Sequence, residues 1–236
     1  MTTVDVQAVA GRIAQRIAQT VIDPEPAPNF YIEEVFPPDL YREMLARLPS
    51  DEALDFIVHP DAVAPEGRVT RKLLDLTEKT LARLDSEQQA FWRGMMAVFT
   101  SPTLQDAMAE KFRPSLEDQF GADRPAMVST PVFYRDFPGY RISVHPDAPY
   151  KVATLQFYLP ADESQIHLGT TFHKRTALGF HELKTNPFKP NSAYGFVRTD
   201  ESWHSVKELG PHETTRNTIA LTLYHRGLQY RSSAMM

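Results

Sequence analysis

The sequence predicts a mainly β chain of the α+β class, with a helical N-terminal half, 1–120, packed outside a jelly-roll barrel formed by 121–236. Three observations predict it. Apolar residues of the first half recur at helical spacing. Near residue 121 the texture changes to short runs rich in β-branched and aromatic residues, separated by Gly, Pro, Asn and Asp, as in all-β sandwiches and barrels. A length of 236 with 42% hydrophobic residues supports a single domain with a real core rather than a disordered chain.

The elements follow in chain order. Residues 4 to 21 place Val6, Val9, Ile13, Ile17 and Val21 on one helical face, and such an amphipathic helix suits a homo-oligomer contact. The run Asp23-Pro-Glu-Pro-Ala-Pro28 breaks that pattern. Asn29 to Glu34 reads as a short strand. Pro37-Pro38 opens a helix carrying Leu40, Leu45 and Leu48, because Pro is tolerated in a first turn. Residues 50 to 70 read as loop. Ser86 and Gln89 form a capping-box pattern ahead of Phe91, Trp92, Met95, Met96 and Phe99, an aromatic helix suited to pack against the barrel. Ser101 caps a further helix, with Pro102 at its first position and Leu104, Met108 and Phe112 along it. The strand-like runs of the second half are "PAMVSTPVFYRDF", "YRISV", "KVATLQFYL", "QIHLGTTFH", "SAYGFV", "WHSVKEL" and "NTIALTLYH".

Bulk chemistry removes several classes. With no Cys there is no disulfide scaffold, which fits a cytoplasmic protein. The formal charge of -5 comes without a basic stripe, so nucleic acid is not an expected partner. No apolar run approaches the roughly 18 residues of a membrane span, and the N-terminus lacks the apolar stretch of a signal peptide.

The pentapeptide VHPDA occurs twice, at 58–62 and at 144–148. The second copy lies between the strand-like "GYRISV" and "KVATLQFYL". Extended backbone puts residues two apart on one face, so His145 and Asp147 can aim into the barrel together. His204, in "SWHSV", is the best third ligand. Two His and one carboxylate that leave the opposite positions open are the usual site of non-haem Fe(II). Arg216 follows on the last strong strand, "RNTIALTLY". A guanidinium buried alone would be costly, and the far end of a dicarboxylate would satisfy it, with Thr218 facing the same way. Around the first copy no strand and no partner His follow. His59 and Asp61 read as a loop turn that at most touches substrate. His167, His173 and His181 read as rim or surface residues, and Lys151 as facing either substrate or water, with water favoured.

Taken in order, these residues resemble the Fe(II)- and 2-oxoglutarate-dependent dioxygenases, and most closely their prolyl 4-hydroxylase-like branch. "YRDFPGYRISVHPD", "KVATLQFYLP" and "HSV...RNTIALTLY" carry the resemblance, which covers about residues 125 to 226. It implies a double-stranded β-helix in which His145, Asp147 and His204 hold Fe(II). Arg216 would pair with the distal carboxylate of 2-oxoglutarate, helped by Thr218 or Tyr158, and Tyr134 would reach the metal-proximal end. O₂ would take the last position, with ascorbate as an auxiliary reductant. The implied reaction hydroxylates a C–H bond of a small molecule or a side chain and releases succinate and CO₂. Having Asp147 rather than Gly or Ala separates the chain from the related halogenases. Two other classes share the ligand set: a non-catalytic jelly-roll ligand-binding module, and a zinc hydrolase. Neither gives Arg216 a reason to face into the barrel. The helical half and the insert from about 161 to 192 are expected to shape the substrate pocket.

Overall fold

The structure, a computed structural model, describes residues 4–57, 59–122 and 125–226. Val58, the first residue of the first VHPDA copy, lies outside them, as do both ends of the expected single domain.

Helix α1 (Val6–Gln19) starts where Asp5 accepts a hydrogen bond from the Ala8 N–H at 3.0 Å, and it buries Val9, Ala10, Ile13 and Ile17. That apolar stripe packs within the chain against later helices. Val21, expected on the same face, lies beyond the helix end and is exposed. Strand β1 (Asn29–Ile32) and helix α2 (Pro38–Ala46) follow, with Pro38 in the first turn, but the strand stops short of Glu34 and the helix ends before Leu48. Residues 50 to 70 are not all loop: β2 (Asp55–Phe56) and two 3-10 turns, Asp51–Ala53 and Pro60–Ala62, lie there. Next come β3 (Arg71–Asp75), a short α3 (Glu78–Leu81) and α4 (Ser86–Phe99).

The cap of α4 differs from the expected box. Asp85, one residue earlier, accepts from the N–H groups of Glu87 and Gln88, so Ser86 is already helical. A carboxylate at a helix N-terminus also gains from the helix dipole, which a Ser does not. Ser101 does cap α5 (Pro102–Lys111). The chain breaks at Phe112 and restarts as α6 (Arg113–Phe120), because Pro114 has no N–H to continue the ladder.

All eight remaining strands come after α6. They are β4 (Met127–Asp136), β5 (Ile142–His145), β6 (Lys151–Tyr158), β7 (Thr170–Thr176), β8 (Gly179–Thr185), β9 (Ser192–Val197), β10 (His204–Val206) and β11 (Arg216–His225). The expected insert from about 161 to 192 therefore contributes two strands, β7 and β8, of which β8 had no strand signal.

Two antiparallel sheets result, one ordered β1-β9-β6-β11-β4-β3-β2 and one ordered β5-β10-β7-β8. Side chains alternate along the large sheet. Leu155, Phe157, Ile219, Leu221 and Leu223 face the helices, where Phe36, Trp92 and Phe99 meet them in one core. Phe157 lies 5.1 Å from both Phe36 and Phe99, and Trp92 lies 6.5 Å from Phe133. The aromatic helix thus packs on the sheet as expected. The other face of the same strands meets the small sheet, where Tyr158, Tyr194 and Phe196 join Phe172 and Val206. Among the described residues no helix is long and apolar enough to cross a membrane.

Candidate functional site

The space between the sheets is a cavity of about 460 Å³. His145, Asp147 and His204 gather on its wall, with one ligand atom from each lying within 4.8 Å of the others. The strand register explains the meeting. β5 and β10 are antiparallel neighbours, and His145 stands directly opposite His204 with ring centroids 4.4 Å apart. Both rings are oriented in the same way. His145 Nδ1 lies 2.8 Å from the Ser143 carbonyl oxygen, and His204 Nδ1 lies 2.9 Å from that of Ser202. Each imidazole donates Nδ1–H to the carbonyl two residues back, which leaves the Nε2 lone pair for a metal.

Asp147 is buried and held at both oxygens. Lys151 Nζ donates to Oδ1 at 2.6 Å, and the Thr154 hydroxyl donates to Oδ2 at 3.0 Å. Lys151 thus points into the site and not to water, because the turn at Ala148–Tyr150 folds the start of β6 back over the carboxylate. Charges settle the protonation states. Burial pushes the Asp147 pKa up, but Lys151 and the neighbouring histidines outweigh it and hold the carboxyl at about 2. Burial, and secondarily His145, lowers His204 to about 4, although Asp147 opposes the shift. Near neutral pH the cluster offers a carboxylate and a neutral imidazole at His204, the forms that bind metal.

Arg216 opens β11 and is fully buried. The sequence reading left it without an anion inside the chain, and the structure corrects this. Arg216 Nη1 donates to Asp136 Oδ2 at 2.8 Å, and Nε donates to the Leu168 carbonyl at 2.7 Å. Asp136 also takes two bonds from Arg71, from Nε at 2.5 Å and from Nη2 at 3.0 Å. The three residues sit in one row, since Arg71 and Arg216 are the register partners of Asp136 on either side. Arg216 Nη2 is buried with no partner. An orphaned guanidinium nitrogen beside a cavity is what a dicarboxylate's far end would satisfy.

The other expected residues divide. Tyr134 lines the cavity. Thr218 is buried on the Arg216 face, and its hydroxyl accepts from Gln156 Nε2 at 2.9 Å. Tyr158 is buried with Arg216 5.5 Å from its ring, but its oxygen accepts the Thr170 N–H at 2.8 Å. His59 lines the mouth of the cavity, as a substrate contact would. Its Nδ1 accepts from the Asp61 N–H inside a 3-10 turn, so this copy of VHPDA lacks the extended backbone of a ligand pair. Asp61 instead approaches Ser143 of β5 at 3.4 Å. His167 pairs with Glu213, and His181 is exposed. His173 departs from its expected surface role: it is buried, with Nε2 2.7 Å from the Ser205 hydroxyl.

Sequence reasoning missed Asp136, Arg71, Tyr140 and Thr154. Asp136 carried a usable signal, as it falls two positions after Tyr134 and so on the same face of β4. Arg71 carried none.

A two-histidine, one-carboxylate cluster beside a buried arginine, inside two antiparallel sheets, defines the class of site. Solved structures share the fold. A prolyl-4-hydroxylase from Pseudomonas putida superposes with a TM-score of 0.53 at 16% identity, over 93% of this chain and 100% of that one. A prolyl hydroxylase from Trichoplax adhaerens, in complex with a hypoxia inducible factor peptide fragment, gives 0.55 at 12%, over 96% and 94%. SnoN, a non-heme alpha ketoglutarate dependent epimerase of nogalamycin biosynthesis, gives 0.55 at 13%, over 97% and 87%. At such identities the likeness is one of fold. No family model matches the sequence, and no curated protein does.

Proposed function

We propose that the chain is an Fe(II)- and 2-oxoglutarate-dependent oxygenase that hydroxylates a C–H bond of a small-molecule or side-chain substrate. The observation that carries this reading is that one cavity is lined both by the three-ligand cluster, from the small sheet and the segment that follows β5, and by Arg216, whose Nη2 is unpartnered, from the large sheet. We read the two sheets as a double-stranded β-helix: from β4 to β11 the chain passes from one sheet to the other at each step except the β7–β8 hairpin. His145 and His204 hold Fe(II) through ring nitrogens and Asp147 through its carboxylate. Lys151 and Thr154 fix that carboxylate, as outer partners of metal ligands do. Arg216 pairs with the far carboxylate of 2-oxoglutarate, Thr218 and Tyr158 shape that end, and Tyr134 reaches the near end. When bound, the metal and keto acid supply O₂ activation with release of succinate and CO₂, and ascorbate serves as auxiliary reductant. Asp147 fills the position that a halogenase leaves to halide, so hydroxylation is the assigned outcome. The unpartnered Nη2 of Arg216 also favours this reading over a zinc hydrolase, which has no anion to offer it.

The test is anaerobic. Fe(II) and 2-oxoglutarate added to the protein should give the visible charge-transfer band of the chelate, and O₂ should then give succinate. Absence of both rejects the reading.

A further inference from the structure

We propose that the cavity holds a second acid besides the keto acid: the substrate is a small free acid whose carboxylate is gripped by Arg71 and Tyr140. The inference rests on the oxygenase reading and names its substrate class.

Arg71 comes from β3, ahead of the strands that carry the metal cluster, yet it reaches the same cavity. Its guanidinium carbon stacks 4.0 Å from the Tyr140 ring centroid and 4.5 Å from that of Tyr134. Asp136 occupies its Nε and Nη2, which locks the plane of the group. Nη1 has no partner among the described residues, although the side chain is only 14% exposed. A guanidinium held on one edge and stacked on two rings is preorganised to receive an anion at its remaining corner.

Tyr140 supplies a second donor. It lines the cavity, and its hydroxyl is buried with no partner. Burial pushes its pKa well above the usual tyrosine value, so the hydroxyl keeps its proton. A buried hydroxyl without a partner is a cost that a bound ligand removes. One guanidinium nitrogen and one phenol hydroxyl, from two residues that stack on each other in the same cavity, can serve the two oxygens of a carboxylate.

Charge gives an independent argument. Arg71, Lys151 and Arg216 bring three positive charges to the cavity, and Asp147 and Asp136 bring two negative ones. A divalent metal and a dianionic keto acid cancel each other, so one positive charge stays uncompensated. Lys151 is tied to Asp147, and the free nitrogen of Arg216 is assigned to the keto acid. Arg71 and Arg216 share the one carboxylate of Asp136, so the surplus belongs to that pair, and with Arg216 assigned to the keto acid the open corner for a second anion is Arg71 Nη1. Val132, Ile142 and Val206 provide apolar wall for the rest of a small molecule.

The experiment uses the full chain. The anaerobic Fe(II)–2-oxoglutarate band is recorded first; a wild-type protein without it rejects the oxygenase reading and this inference with it. Succinate release in O₂ is then measured with the proteinogenic amino acids and with short aliphatic and aromatic acids, each against its primary amide. At least one acid should raise the rate, with its amide about tenfold or more weaker. Arg71→Gln should lose that preference. Tyr140→Phe should raise the apparent KM for the acid about five- to tenfold, leave the half-saturating 2-oxoglutarate within about twofold, and not lower Tm. A purely structural Tyr140 would lower Tm and leave the acid's KM alone. If the band forms and no acid stimulates, or amides match acids, the inference fails and the oxygenase reading stands. If Tyr140→Phe moves 2-oxoglutarate binding instead, the subsite belongs to the co-substrate and the inference is likewise overturned.

Discussion

His145 and His204 take the same posture, each ring tied through Nδ1 to the carbonyl two residues behind it. Context, and not letters, separates the two VHPDA copies: extended backbone joins His145 to Asp147, whereas a 3-10 turn joins His59 to Asp61. His204→Ala and Asp147→Ala should each abolish iron retention, and Asp61→Ala should leave it intact, as iron per chain after anaerobic loading and desalting will show. The pH response of the metal-free protein follows from His204, whose pKa burial lowers to about 4. The unfolded chain takes up that proton below about pH 6.5, and the folded chain does not until about pH 4. Stability should therefore fall with pH across this window, by on the order of 3 kcal/mol at its foot. Asp147 acts in the same direction at lower pH: its depressed pKa stabilises the fold above about pH 4, and that contribution is lost as pH falls toward about 2. Urea unfolding of wild type and His204→Gln from neutral pH downward checks the first window, where the variant should be flatter. That His145, Asp147 and His204 gather in one place was legible, because spacing and strand context suffice for it. The direction of Lys151 was not, since it depends on how a five-residue turn closes.

At the scale of elements, the row Arg71–Asp136–Arg216 ties β3, β4 and β11 together at one level of the sheet. The fully buried Arg216 and the half-buried Arg71 share one buried carboxylate, so the row tolerates loss of an arginine better than loss of the acid. Asp136→Asn should cost about 3–5 kcal/mol, read from the urea midpoint, because it strands two charges. Adding Arg71→Gln to it should recover part of that loss. Gly169 makes a second, steric prediction. A Cβ there would lie 1.5 Å from the Asn186 carbonyl oxygen, so the segment leading into β7 can approach the one leaving β8 only without a side chain. Gly169→Ala must displace the Leu168 carbonyl that accepts from Arg216, and it should lower Tm and weaken 2-oxoglutarate binding together. These features show where sequence reading ends. Alternation gives the face on which Asp136 points, but register against β11 and β3 is a tertiary fact. β3 itself was missed because "RKLLD" does not alternate.

For the whole molecule, the boundary near residue 121 was legible as a change from helical to strand periodicity, and every described α-helix does precede it. That boundary marks texture and is not a line along which the chain should come apart. Leu155, Phe157, Ile219, Leu221 and Leu223 are each at most 1% exposed, and they are covered by Phe36, Trp92, Phe99 and the neighbouring helices. At about 1.5–3 kcal/mol per buried side chain, uncovering five of them costs on the order of 10 kcal/mol. That is comparable to the entire stability of an ordinary domain, about 5–15 kcal/mol. The cut would also remove β1, β2 and β3 from the large sheet and expose the edges of β9 and β4. A fragment comprising 121–236 should therefore aggregate or remain unfolded, although it contains His145, Asp147, His204 and Arg216. Size-exclusion chromatography and urea unfolding of that fragment decide the matter: a monomer that unfolds cooperatively would show that the helices are an accessory. The expected failure would make the helical half part of the site's own scaffold, since the strand that brings Arg71 to the cavity is built from it.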